Sequence, residues 1–367
     1  MQATFATSYA AILQKIENIN PVAYGKTRNY IHGDVTYLSP YISRGVISTQ
    51  QVLNSIIRRG FKLAETEQFV KELAWRDYFQ RVWQTRNINE DLKSIQTGVT
   101  NFEIPLAVLH ATSGIKGVDV SILNLFETGY MHNHCRMYTA SIICNIAKSH
   151  WLQPAKWMYY YLLDGDWASN ACSWQWVAGS NSNKKYFANQ ENISKFTEEI
   201  QYSSYVDEAY NDSSNIVTPT ILNQTSTINL LTHLPASSIN YIDENKPTFI
   251  YNYYNLDPLW HLAEEGNRVL LLEPSHFSAY PISEKCVDFM LALSKNILSI
   301  QIYVGEFDEF VNEYQVKNIY YKEHPLNKHY KGFEESRDWI CTSIVGYFPS
   351  FFAYWKQIEK EVKKQFS

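Results

Sequence analysis

Residues 129–137 read Gly-Tyr-Met-His-Asn-His-Cys-Arg-Met, and residues 164–176 read Asp-Gly-Asp-Trp-Ala-Ser-Asn-Ala-Cys-Ser-Trp-Gln-Trp. Both stretches run into helical-period apolar segments, so each is expected to open a helix. In the first, Asn133 and Met137 stand at i and i+4 and share a face, while His132 and Arg136 share the adjacent one. Two histidines without a third ligand at metal spacing do not make a metal site, and none is expected. In the second, Asp166, Asn170 and Trp174 fall at i, i+4 and i+8, one continuous stripe. An acid, an amide and an indole in a row can read a planar heteroaromatic ligand, the polar groups taking its edge. An isolated Asp-Gly-Asp would otherwise be a helix cap with a turn glycine.

Working outward, Glu72 to Phe79 reads Glu-Leu-Ala-Trp-Arg-Asp-Tyr-Phe. Glu72, Trp75 and Arg76 lie on one helical face, and an exposed Glu–Arg pair there would contribute only about 0.3–0.5 kcal/mol. Further upstream, Gly33 to Ser39 offers glycine, acid and hydroxyls before Pro40, a turn able to hold phosphate. Helical-period runs at Val46–Ile57, Thr66–Thr85, Val118–Phe126, Met137–Ile146 and Ala155–Leu163 make residues 1–200 a helical domain. Residues 201–246 are rich in Ser, Thr and Asn, notably Asp212–Asn215 and Asn223–Asn229, and read as a connector. Residues 247–367 change pattern. Short β runs at Thr248–Tyr254, Arg268–Leu272, Ile300–Val304 and Asn318–Tyr321 alternate with helical stretches at Pro258–Glu265, Ser283–Lys295 and Phe307–Tyr314. That alternation predicts a small parallel sheet covered by helices. Phe351–Gln365 closes the chain as an amphipathic helix with a basic end.

Composition narrows the function classes. The 367 residues exceed what one core usually supports, and 45% apolar with 19% charged residues is globular usage. No apolar run is long enough to span a membrane, and no secretory signal opens the chain, so a cytoplasmic setting is expected. Five scattered cysteines without a CxxC pair argue against disulfide, zinc and iron–sulfur chemistry. Residues 1–200 carry 19 Lys/Arg against 16 Asp/Glu, net +3, and the remainder 13 against 21, net −8, so a polyanion would dock on the first part.

Taken together, these motifs resemble the flavin domain of the DNA photolyase and cryptochrome family, from about Tyr24 to Phe187. The family's phosphate stretch is represented by Val35-Thr36-Tyr37-Leu38-Ser39, its Glu-Leu-x-Trp-Arg helix by Glu72 to Tyr78, its Met-His-Asn signature by Met131 to Met137, and its Asp-Gly-Asp…Trp-Gln-Trp stretch by Asp164 to Trp176. The resemblance implies a helical FAD-binding domain of photolyase/cryptochrome type plus a smaller C-terminal α/β domain with a short parallel sheet. It implies FAD as cofactor, with Tyr24, Thr36 and Ser39 on the diphosphate side of a stretch that includes Tyr37 and Leu38. Arg76 would lie beside the cofactor. Arg136 would pair with Asp164, next to Gly165, by the isoalloxazine; Asp166 would accept from the ring edge and Asn170 would face the flavin N5. Glu72, Trp75, Asn133, Met137 and Trp176 would form the lesion pocket, and Trp174 and Trp151 would relay electrons.

The third relay position falls on Val108, which cannot carry a hole. Other departures are His134 in place of the usual arginine, Ala188–Asn192 in place of Arg-Ile-Phe-Asn-Pro, and Tyr37 where many members have arginine. Each removes a backbone contact to DNA. The α/β stretch also follows the flavin region, whereas in the family it usually comes first. The expected function is light-dependent repair of cyclobutane pyrimidine dimers by electron transfer from reduced FAD. The alternative is a cryptochrome-like flavin photoreceptor without repair activity. The expected partner is UV-damaged DNA, with single strands left open as the preferred form, and the chain is expected to be monomeric and off the membrane. The antenna chromophore stays undetermined.

Overall fold

A computed structural model describes residues 5–207 and 216–367. The Asp212–Asn215 part of the expected connector lies outside the described residues. The chain divides into two compact units that interleave in sequence. One holds Asn20–Val35 and Thr85–Asn229; the other holds 5–19, Thr36–Gln84 and Leu230–Ser367. The boundaries differ from the serial order expected, a helical domain at 1–200, a connector at 201–246 and an α/β domain at 247–367. The helices at Thr49–Arg58 and Leu63–Thr85 group with the α/β region, and the first half of the connector groups with the helices after Thr85.

The first unit is built on helices at Pro21–Thr27, Lys116–Thr128, Asn133–Ser141, Leu152–Tyr161, Trp167–Ala178 and Gln190–Thr197. Their ends are set by local chemistry. Asn20 caps one helix with Pro21 at its first position, Asp166 caps another through a 2.7 Å bond from the Ser169 N–H, and Gly129 and Gly179 stop two helices in the left-handed conformation. The Asn133–Ser141 helix widens into a π turn at Ile142–Ile146. Trp151, Trp157, Trp167 and Trp174 are buried here. A two-residue antiparallel ladder joins β1 (Ile104–Pro105) to β2 (Thr225–Ser226).

The second unit contains a five-stranded sheet of β3 (Thr248–Tyr251), β4 (Asn267–Leu272), β5 (Ile300–Val304), β6 (Ile319–Lys322) and β7 (Phe333–Glu335). All pairings are parallel, in the order β5-β4-β3-β6-β7. The order reverses between β3 and β6, as in doubly wound folds. β3 and β4 are buried throughout, as strands covered on both faces must be. Ile250, Val269, Leu271, Phe307 and Phe310 form part of the core on one face. The helix expected at Pro258–Glu265 is instead a run of turns. His261 sits at φ +51°, and the Arg268 guanidinium takes the carbonyls of His261, Leu262 and Glu264, which a continuing helix would need. The Phe351–Gln365 helix forms as expected, capped by Ser350.

Candidate functional site

The first unit brings the Gly129–Met137 and Asp164–Trp176 stretches together. One guanidinium nitrogen of Arg136 donates to both carboxylate oxygens of Asp164, each at 2.9 Å, and its Nε donates to the Met131 carbonyl at 2.8 Å. Asp164 is buried, so its charge is held by this pair. Between the two acids, a side chain on Gly165 would come within 2.9 Å of the Leu162 carbonyl oxygen, which only glycine tolerates. Asp166 is indeed a helix cap, and it also heads the stripe: Asp166, Asn170 and Trp174 are all buried. The Asn170 amide donates to the Ala155 carbonyl at 2.8 Å, which anchors its side chain on the neighbouring helix.

Asn133 and Met137 meet as their spacing requires, the amide nitrogen lying 3.9 Å from the thioether sulfur. His132 caps their helix. Its Nδ1 accepts from the His134 N–H, so its Nε2–H donates to the Arg28 carbonyl at 3.0 Å. Burial, the neighbouring histidine and the nearby arginines hold His132 down at about 4. His134 packs against Phe196 and Tyr138, and burial, then Arg28, lowers it to about 4 as well. It is neutral near pH 7 and cannot stand in for a phosphate-binding arginine. Trp151 and Trp174 are fully enclosed, as is Val108. Trp176, by contrast, is 43% exposed and leans on Tyr186 with ring centroids 5.7 Å apart.

Residues 69–237 match the family described as the FAD-binding domain of DNA photolyase. Over those residues the chain is similar to the flavin domain of DNA photolyases. It is 31% identical over 158 residues to a deoxyribodipyrimidine photo-lyase of Streptomyces griseus, a match covering 42% of this chain and 34% of the relative. To the enzyme of the same name from Buchnera aphidicola of Baizongia pistaciae it is 26% identical over 238 residues, 58% of this chain and 47% of the relative. Among solved structures, the Synechocystis cryptochrome is similar at a TM-score of 0.46 and 21% identity, over 53% of this chain and 44% of that one. The chain spans about a third to a half of the length of these relatives.

FAD is the family's cofactor, and the donor set fits it. A paired guanidinium, buried carboxylates and an anchored amide within one unit are donor and acceptor types that a flavin edge can use. Tyr24 lies on the Pro21–Thr27 helix of the same unit as Arg136, Asp164, Gly165, Asp166 and Asn170. Thr36, Tyr37, Leu38, Ser39, Glu72, Trp75 and Arg76 belong to the other unit.

There the Thr36 hydroxyl accepts from the Leu38 N–H, and Tyr37 takes a left-handed φ of +52°. The Tyr37 ring, in the place of an arginine, packs edge-on to Phe5 with the Lys15 ammonium 5.5 Å above it. Ser39 opens a short helix behind buried Leu38. Glu72 accepts from the Gln68 amide at 2.8 Å. Trp75 stacks on Phe351 at 3.9 Å and 10°, with Tyr78 and Phe79 against its other sides. Arg76 lines a cleft with Asp77, Asn255, Lys322 and Arg337, near the carboxyl ends of β3 and β6.

Several supporting residues carry no motif. Asp91 accepts from the Trp151 indole N–H at 2.7 Å and from the Gln96 N–H. Asn89 holds the Trp167 indole. The buried Gln175 amide clamps Ile88 and Leu92, and Asn145 on the π turn donates to Val177 and Tyr186. Only the helical position of Gln175, inside Trp-Gln-Trp, was a signal in the sequence.

Proposed function

We propose that the protein is a light-dependent photolyase that splits cyclobutane pyrimidine dimers in DNA. The observation that carries the reading is the Arg136–Asp164 pair beside the Asp166–Asn170–Trp174 stripe, within a domain of the FAD-binding family. Bound FAD, reduced and excited by light, supplies the electron. The chain's own residues do the rest. Arg136 and Asp164 fix a charge pattern at the flavin edge. Asp166 accepts there, and Asn170 keeps an amide at the ring. Trp174 and Trp151 carry electrons inward, with water excluded from both indoles. Glu72 accepts a hydrogen bond from the dimer and favours its added charge. The stacking role falls to Trp75 in one unit and to Trp176, with Asn133 and Met137, in the other. Aromatic stacking and edge hydrogen bonds offset the few kcal/mol needed to unstack the damaged bases.

The protein is read as acting in the cytoplasm as a monomer, where its five buried cysteines, none in a disulfide, stay reduced. Among the described residues, no helix is long and apolar enough to cross a membrane. One observation favours the photoreceptor alternative: His134 is neutral where an arginine would bind phosphate.

The test is recovery of base absorbance in UV-irradiated oligonucleotides by the reduced, illuminated protein. Recovery is expected on single or double strands, and its absence on both would overturn the enzyme reading. Glu72→Ala should slow repair about 10- to 100-fold, the size of one lost charge-assisted hydrogen bond, with FAD still bound. An unchanged rate would remove Glu72 from the lesion contact.

A further inference from the structure

We infer that the Asp91 carboxylate takes the indole proton of Trp151 when that ring is oxidised, and so delays the return of charge along the relay. The inference rests on the relay reading of Trp174 and Trp151. The bond between Asp91 and Trp151 is independent of that reading.

The geometry is set by one loop. The Trp151 indole is fully enclosed, and its N–H donates to Oδ1 of Asp91 at 2.7 Å. The other carboxylate oxygen accepts from the Gln96 N–H at 2.8 Å, which fixes the orientation of the acid. The Gln96 side chain, itself buried, accepts from the Trp151 backbone N–H at 3.0 Å and donates to the Ser149 carbonyl at 2.9 Å. Trp151 is held at its ring and at its backbone by two residues five apart. Asp91 is only half-buried, so its carboxylate connects an enclosed N–H to the protein surface.

A neighbouring indole supplies the comparison. The same loop holds Trp167, also enclosed, through the Asn89 amide oxygen at 2.8 Å. A neutral amide therefore suffices to place a buried indole. A carboxylate gives the same geometry at a greater desolvation cost, so its charge does something that holding does not require. It favours positive charge on the ring, and it can take the proton, which an amide oxygen does far less readily. Charge matters here because Trp151 caps the Leu152–Tyr161 helix, whose positive end opposes a cation on the ring. The adjacent His150 does not compete for the proton. Burial lowers it, against the pull of Asp91, and its Nδ1 already accepts from the Leu152 N–H.

Trp151 gives one electron to oxidised Trp174, which has itself lost one toward the light-excited flavin. The indole N–H bond of Trp151 then breaks, its electron pair staying on nitrogen, and the proton forms an O–H bond on Asp91. A neutral indole radical and a neutral carboxyl remain. A thiolate in solution supplies the returning electron and becomes a thiyl radical, and the Asp91 proton goes back to the indole nitrogen. Val108, enclosed at the third relay position, cannot be oxidised, so proton release at Trp151 is what slows recombination.

The experiment is laser-flash spectroscopy of the protein with oxidised FAD bound, without DNA, with and without thiol. In the wild type the Trp151 radical should appear in its neutral form, and more slowly in heavy water. Asp91→Asn keeps a hydrogen-bond acceptor, as Asn89 does for Trp167. It should leave the radical cationic, shorten its lifetime about 10-fold, the size of one lost charge-assisted bond, and slow thiol-supported photoreduction in proportion. Asp91→Glu should restore the neutral form. A reading that needs no light comes from the Trp151 indole N–H resonance in nitrogen-15-labelled protein, which should move upfield in Asp91→Asn as the bond loses its charge.

A wild-type Trp151 radical that stays cationic overturns the role of Asp91, and this holds even where Asp91→Asn does not fold. A neutral radical unaltered by Asp91→Asn overturns it as well. Both results leave the relay standing. A radical signal unchanged by Trp151→Phe removes the relay reading and this inference with it. None of these outcomes bears on repair by chemically reduced protein, which tests the enzyme reading separately.

Discussion

Trp75 and Trp176 carry the same expected role, yet their two units treat them oppositely. In the α/β-containing unit Trp75 lies flat on Phe351 within an aromatic cluster that includes Tyr78, Phe79 and Tyr354. In the helical unit Trp176 is 43% exposed and leans on Tyr186. The difference teaches that an indole at the right helical spacing can serve packing or recognition, and that its partners from distant sequence decide which. Trp75 has one face already committed, so it contributes to the fold whatever else it does. Trp176 keeps part of its ring surface exposed.

The largest expected effect follows from this contrast. Phe351 is buried beneath Trp75, so Phe351→Ala should destabilise its unit by about 3–5 kcal/mol in denaturant unfolding. Trp176→Ala should change stability by less than about 1 kcal/mol while weakening lesion binding. Equal losses would erase the distinction between the two rings. A gain in lesion affinity for Phe351→Ala would sharpen it, by showing that Phe351 competes for the Trp75 face.

That contrast also marks what the sequence could show. The local patterns were readable: strands β3 to β6 announce themselves as short apolar runs, and the Phe351–Gln365 helix as a 3.6-residue stripe. Asn133 and Met137 touch because they are four apart. The stacking of Phe351 on Trp75, 276 positions away, has no local signature. Nor does the β7 strand, an exposed edge of Phe333–Glu335 with no apolar alternation. The turns at Pro258–Glu265 escaped because Arg268, outside the segment, takes its carbonyls. The interleaved unit boundaries were invisible for the same reason: helix periodicity tells which face is buried and says nothing of what buries it. The family motifs stood out because their chemistry is compressed into a few turns.

The next effect concerns the charge pair of the helical unit. Asp164→Ala leaves the Arg136 guanidinium without its buried counter-charge, which should cost about 1–3 kcal/mol. If the pair sits at the flavin ring as proposed, the variant should also purify with little flavin colour. Retained stoichiometric FAD would refute that role. The matching change in the other unit, Lys322→Ala at its ion pair with Asp257, should leave flavin content unaltered.

The smallest effect is one of pH, and it sets the buried histidines of both units against one buried acid. His132 and His134 have folded values near 4, below the usual 6.5, so the stability they contribute is present above 6.5 and is lost as pH falls toward 4. His276 and His324 in the other unit, both lowered by burial, act in the same direction. Asp77 opposes them. It is buried and accepts from the Thr49 hydroxyl and the Ile340 N–H, and burial raises it from 3.8 to about 6 despite those bonds. A raised carboxyl contributes most below 3.8 and loses that contribution as pH rises through 6. Asp77→Asn removes this opposition. Its stability relative to the wild type should therefore rise by about 1–2 kcal/mol between pH 4 and pH 7, read from urea midpoints at the two values. A difference that stays flat with pH would mean that Asp77 is ionised at no cost, its hydrogen bonds and the nearby Arg337 and Arg76 outweighing its burial.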